Sequence, residues 1–184
     1  YDPCLNESRE ISGNAIVVGP CFASLQMVSN ISNRFSVLVG REKFIERMNE
    51  RIRDYGYFNQ LASFRSVDLN VIDFANNPDR AKDLLIEEGY KAIKEDRAEA
   101  ILLGCTGNFD QYKEIQDELG VPVIDPVLAS LKRAEELATL KNTYGWGISR
   151  IGSLEPPPES EINELDLFES ESPPIGSKLI ISKV

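Results

Sequence analysis

Short apolar runs alternate with helical patterns along most of this chain, and each run stops at a turn former. Asn14-Ala15-Ile16-Val17-Val18 stops at Gly19-Pro20, Phe35-Ser36-Val37-Leu38-Val39 at Gly40, and Ala100-Ile101-Leu102-Leu103 at Gly104. A weaker run covers Phe64 to Leu69, and Val121-Pro122-Val123-Ile124 closes on Asp125-Pro126. Runs this short, bounded in this way and separated by helices, read as buried parallel strands. Strands alternating with helices give an α/β fold with right-handed crossovers, so the expected architecture is a parallel sheet with flanking helices.

The helical segments carry their own signals. Residues 41–54 place Phe44, Ile45, Met48 and Ile52 at helical spacing opposite a charged face. Asn77-Pro78 and Asp125-Pro126 each read as an N-cap followed by a first-turn proline. Further helices are expected over residues 22–30, 78–93, 109–119 and 126–140. Asp2-Pro3 reads the same way and opens a short helix over residues 3–11. A helix starting there lacks the strand that should feed it. The sequence is therefore expected to begin partway through a βα unit, as a fragment or a processed chain.

Composition removes several functions. Histidine is absent from the 184 residues, which excludes Ser-His-Asp and Cys-His arrangements built within this chain. Cys4, Cys21 and Cys105 show no CxxC spacing, so neither a metal site nor a disulfide framework is expected. No GxGxxG or phosphate loop is present, and no cofactor is called for. A net charge of −10 leaves no basic stripe for nucleic acid or an anionic membrane. No apolar stretch approaches the roughly 20 residues that span a bilayer. The expected partner is a small-molecule substrate in a reducing, cytoplasmic setting, with homo-oligomerisation left open.

Acid–base work must then fall to thiols, carboxylates, Lys or Tyr. Cys105 is the leading candidate, because ligands of open α/β sheets bind beyond the carboxyl ends of the strands. It follows the run ending at Leu103 and is expected to precede a helix starting near Asn108. Free N–H groups and the positive helix end would favour its thiolate. The same groups, with Thr106, Gly107 and Asn108, would form an anion pocket. Such a thiol suits nucleophilic attack or proton abstraction beside a carbonyl; the alternative is a strand-end cysteine that only packs. Cys21 also lies at a strand-to-helix turn and could face the same cleft, with a packing role favoured; Cys4, in the first turn of the opening helix, could be activated or buried, and packing is favoured there too.

Several segments together resemble the aspartate/glutamate racemase superfamily, most closely its hydantoin/allantoin racemase branch. They are Asp2-Pro3-Cys4-Leu5 with Glu7-Ser8-Arg9-Glu10, Ile16-Val17-Val18-Gly19, Phe35-Ser36-Val37-Leu38, Ile101 to Gly107, and Pro122 to Pro126. Gly147 to Gly152, with Pro156-Pro157, resembles the family's carboxyl-terminal motif. The resemblance implies a cofactor-independent isomerase of two α/β lobes, in which one thiol from each lobe faces opposite sides of an acidic carbon. Cys105 matches the second-lobe cysteine. The first-lobe cysteine would stand just ahead of Asp2-Pro3, before Tyr1, so this chain alone is expected to be inactive. Thr106, Gly107 and Asn108 carry over as substrate contacts, with Asp2 shaping the other side. Phe22 departs from an acidic residue common at its place in the family.

On this reading residues 1–30 are a remnant of the first lobe and 31–124 the second lobe. Residues 125–152 form a helix and a segment returning toward the first lobe, and 153–184 an acidic, proline-rich tail. Alternatives are a decarboxylase or cis–trans isomerase of the same fold, a noncatalytic binding or assembly protein, and an FMN-binding domain.

Overall fold

The computed structural model describes residues 1–108 and 110–165, with the backbone alone at Asn108. Four strands, β1 (Phe35–Val39), β2 (Leu61–Ser66), β3 (Ala100–Leu103) and β4 (Val123–Ile124), form one parallel sheet in the order β2-β1-β3-β4. In chain order the helices are α1 (Leu5–Ile11), α2 (Pro20–Ile31), α3 (Ile45–Asp54), α4 (Val71–Asn76), α5 (Pro78–Asp96), α6 (Tyr112–Leu119), α7 (Pro126–Tyr144) and α8 (Glu159–Glu164).

β1 and β3 are buried along their whole length, as their unbroken apolar runs require. Their side chains alternate between two cores. Leu38, Ile101 and Leu103 face Leu85 and Ala92 of α5 and Ile115 of α6. Phe35, Val37, Val39, Ala100 and Leu102 face Leu25 and Val28 of α2 and Ile52 of α3. Helices therefore cover both sides of the sheet, and α7 packs on α2.

Three sequence expectations shift. The strand expected over Asn14 to Gly19 does not form: Asn14 lies in a turn, and residues 15–19 join no ladder, because no strand among the described residues lies beside them to accept their backbone hydrogen bonds. β2 begins at Leu61 rather than Phe64, since its register is set by β1: Phe35 pairs with Leu61 and Val39 with Ser66. It is an edge strand, half-buried throughout, which explains its weak apolar signal. The helix expected from residue 109 starts at Tyr112, after a 3₁₀ turn over Thr106–Asn108.

The Asn77 and Asp125 caps form as the sequence indicates: Asn77 accepts the Arg80 N–H, and Asp125 accepts those of Val127 and Leu128. Asp2 behaves differently. Its own helix starts at Leu5, with Cys4 at the N-cap in the left-handed region (φ 56°) and no side-chain cap. The Asp2 carboxylate caps α2 instead.

At the far end, Arg150 ties the returning segment to α1. Its guanidinium donates to the carbonyls of Arg9 (2.7 Å) and Glu10 (3.0 Å) at the end of that helix, and to Ser12 Oγ (3.0 Å). A cation on the last carbonyls of a helix satisfies acceptors that have no partner within it. Within the tail, α8 is exposed along most of its length, and residues 166–184 lie outside the described residues.

Candidate active site

The strand order reverses between β1 and β3: the chain leaves β1 toward β2, returns over the sheet, and continues through β3 to β4. Crossovers diverge at such a point and leave a crevice above the carboxyl ends of the two strands. A cavity of about 300 Å³ opens there. Gly40 after β1, Leu69 after β2, Gly104 to Thr106 after β3 and Pro126 after β4 all line it. Pro20, Cys21 and Ser24 of α2 close one side, and Phe44, Met48 and Ile52 another.

Cys105 thus sits at the cavity, half-buried, with Thr106 beside it. The Gly107 N–H points at its sulfur, with N···Sγ at 3.4 Å. A backbone donor at that distance stabilises a sulfur anion weakly, since sulfur is a soft and diffuse acceptor. The expected contact with the start of an α-helix is replaced by the 3₁₀ turn, so the helix dipole of α6 begins several residues away. The loop between them is held from below. The Asp110 N–H donates to Asp125 Oδ2 (3.3 Å), while Asp125 Oδ1 accepts Val127 N–H (2.7 Å) and Leu128 N–H (3.1 Å). One buried carboxylate therefore anchors both the Cys105 loop and the first turn of α7.

Asp2 plays the matching part on the α2 side. It is 4 % exposed, and its oxygens accept Cys21 N–H (2.7 Å), Phe22 N–H (2.9 Å) and the Tyr55 hydroxyl (3.0 Å). The Tyr55 ring stacks against Phe22, with centroids 4.7 Å apart. Burial and the adjacent carboxylate hold the Tyr55 phenol well above its ordinary range. Cys21 shares the cavity with Cys105, and its pKa is pushed up to about 11, mainly by burial. At neutral pH Cys21 is a neutral thiol.

The structure therefore brings Cys105, Thr106 and Cys21 to one cavity, and sets Asp2 behind the first turn of α2. Gly107 lies in the turn against the Cys105 sulfur, and the side chain of Asn108 lies outside the described residues. Sequence reasoning missed Tyr55 as part of the site's support. Asp125 carried a legible signal as a cap. Tyr55 carried none, because its partner lies on a separate element.

A model of the Asp/Glu/hydantoin racemase family matches residues 2–134. The hydantoin racemase of Rhizobium meliloti is 39% identical over 151 residues, covering 79% of this chain and 62% of that protein. That of Pseudomonas sp. (strain NS671) is 36% identical over 139 residues, covering 76% and 55% respectively. Among solved structures, allantoin racemase from Klebsiella pneumoniae superposes with a TM-score of 0.79 at 30% identity, over 85% of this chain and 62% of that one. The chain thus spans a little over half the length of these relatives. On the family match and the sequence identity together, the chain belongs to the Asp/Glu/hydantoin racemase family.

Proposed function

We propose that the protein of which this chain forms the whole or a part is a cofactor-independent racemase or epimerase of a hydantoin, allantoin or amino-acid-like substrate. The observation that carries this reading is a thiol, Cys105, at the edge of a cavity on the carboxyl side of the sheet. Similarity to hydantoin and allantoin racemases supports it.

The carbon at position 5 of a hydantoin ring lies beside a carbonyl, so removing its proton gives an enolate. Cys105 as thiolate takes that proton, breaking C–H and forming S–H, or in the opposite direction returns it. In this reading a second thiol on the far face completes the exchange. Thr106, Gly107 and Asn108 contact the substrate next to Cys105, and Asp2 shapes the opposite wall. In the same reading residues 1–30 are what this chain holds of the first lobe, 31–124 make the second lobe, and the setting is cytoplasmic. No helix among the described residues is long and apolar enough to cross a membrane.

The test is exchange in D2O. Full-length protein incorporates solvent deuterium at the stereocentre while racemising the substrate, and Cys105→Ser loses that turnover. Turnover that persists in Cys105→Ser would remove the residue from the mechanism.

A further inference from the structure

Resting on that reading, we infer that Tyr55 is a positioning residue for the reaction. It stands outside the cavity, and its hydroxyl, acting through the Asp2 carboxylate, fixes the part of the cavity wall formed by Tyr1 and Cys21.

The first support is a stripe on α3. Arg47, Arg51 and Tyr55 are spaced four apart, and Tyr55 keeps helical geometry as the C-cap (φ −81°, ψ −5°), so the three share one face. That face is turned onto the first residues of the chain. The Arg47 guanidinium lies 5.9 Å from the centre of the Tyr1 ring, and that of Arg51 lies 5.6 Å from the Tyr55 ring, both within cation–π range. Tyr55 then donates to Asp2 at 3.0 Å. The neighbouring stripe, Met48 and Ile52, lines the cavity itself. One helix therefore supplies one wall of the cavity and, a position round, holds the residues that make another.

The second support is how Asp2 is held. It directly follows Tyr1, and its Oδ1 accepts the Cys21 N–H; Tyr1 and Cys21 both line the cavity. α1 starts only at Leu5, after Cys4 in the left-handed region, so no hydrogen bond of that helix locates Tyr1 or Asp2. Two donors to the Asp2 carboxylate are backbone groups of α2, and Tyr55 is its donor from α3. Without the hydroxyl, Asp2 and the first turn of α2 stay joined to each other and are released from α3. Burial and Asp2 hold the Tyr55 phenol above its ordinary range, so it remains a donor at neutral pH. Tyr55→Phe keeps the ring that stacks on Phe22, and so removes the donor and little else. Proton transfer between fixed groups falls steeply with misplacement, about a hundredfold for an ångström. Binding, spread over the whole cavity, depends far less on one wall.

The experiment is a cycle of Tyr55→Phe and Asp2→Ala in full-length protein. It measures kcat and KM for racemisation of a 5-substituted hydantoin, at a temperature where circular dichroism shows each variant folded. Tyr55→Phe is expected to lower kcat about tenfold with KM unchanged within about twofold. In the Asp2→Ala background the same change should lower kcat no further, because the hydroxyl has lost the group it acts through. A merely structural role would lower Tm and leave kcat of the folded protein alone. Any of three results would overturn the inference: kcat within about twofold of the unaltered value, a rise in KM alone, or an equal fall in both backgrounds. Each leaves the racemase reading to be decided by Cys105→Ser. If full-length protein racemises nothing, that reading fails, and alkylation tests the hold on Asp2 without activity. Iodoacetamide should then modify Cys21 in Tyr55→Phe at least about threefold faster than in the unaltered 184-residue chain, with Cys105 within about twofold. An unchanged Cys21 rate would overturn the inference by itself.

Discussion

The Tyr55 hydroxyl donates to Asp2 across 3.0 Å, joining the end of α3 to the residue that caps α2. Asp2 holds two backbone N–H groups of α2 with the same carboxylate, so three elements meet on one charged group. α2 supplies Pro20, Cys21 and Ser24 to the cavity wall that also holds Cys105.

Asp2→Ala leaves two half-buried N–H groups and a hydroxyl without their acceptor, and is expected to cost about 3 kcal/mol in urea unfolding. Tyr55→Phe removes one donor and should cost about 1 kcal/mol. Because the two side chains touch, the double variant should be less destabilised than the sum by at least about 0.5 kcal/mol. Strict additivity would show that the hydrogen bond contributes nothing to stability.

Gly19 is required by the same junction. A Cβ there would lie 2.4 Å from the carboxyl carbon of Asp2, closer than any real contact. Gly19→Ala should therefore cost about 1–3 kcal/mol. In an Asp2→Gly background most of that penalty should vanish, since the clashing atoms are gone. An equal penalty in both backgrounds would place its origin elsewhere.

Cys21 gives the native state a pH dependence of definite sign. Its thiol ordinarily ionises near 9.0 and in the folded chain near 11, mainly because burial penalises the thiolate. Above pH 9 the unfolded chain releases this proton first, so the contribution is complete below that pH and is lost as pH rises toward 11. Across that window the unaltered chain should lose roughly 2–3 kcal/mol more stability than Cys21→Ala. Tyr55 is raised in the same direction, in small part by Cys21 itself, so the difference reports Cys21 together with that coupling. Parallel pH profiles would show that Cys21 is solvated.

Asp125→Ala should cost about 2 kcal/mol through the lost cap of α7. It should also loosen the loop, because Asp110 loses its partner. Iodoacetamide should then modify Cys105 faster under conditions where the chain remains folded. An unchanged rate would mean that the loop is held without Asp125.

Much of this molecule was set by local sequence. The runs at Phe35–Val39 and Ala100–Leu103 were legible as buried strands because strands covered on both faces need apolar residues at every position. Asn77-Pro78 and Asp125-Pro126 were legible as helix starts because a cap and its targets lie within three residues. Cys105 could be placed at the cavity because the end of β3 and the start of its following turn are both local features.

What only the tertiary structure decided lies in interactions between distant residues. Asp2-Pro3 has the same local pattern as Asp125-Pro126, yet its carboxylate serves a helix that starts eighteen residues later, because Gly19 leaves room for it there. Ile16 to Val18 has the composition of a strand, but a strand exists only where a neighbour accepts its hydrogen bonds, and that neighbour is not written in the run itself. The two capped helix ends at the cavity are a result of both kinds. One cap is local and could be read; the other is a meeting of Asp2, Cys21 and Tyr55 that only folding brings about.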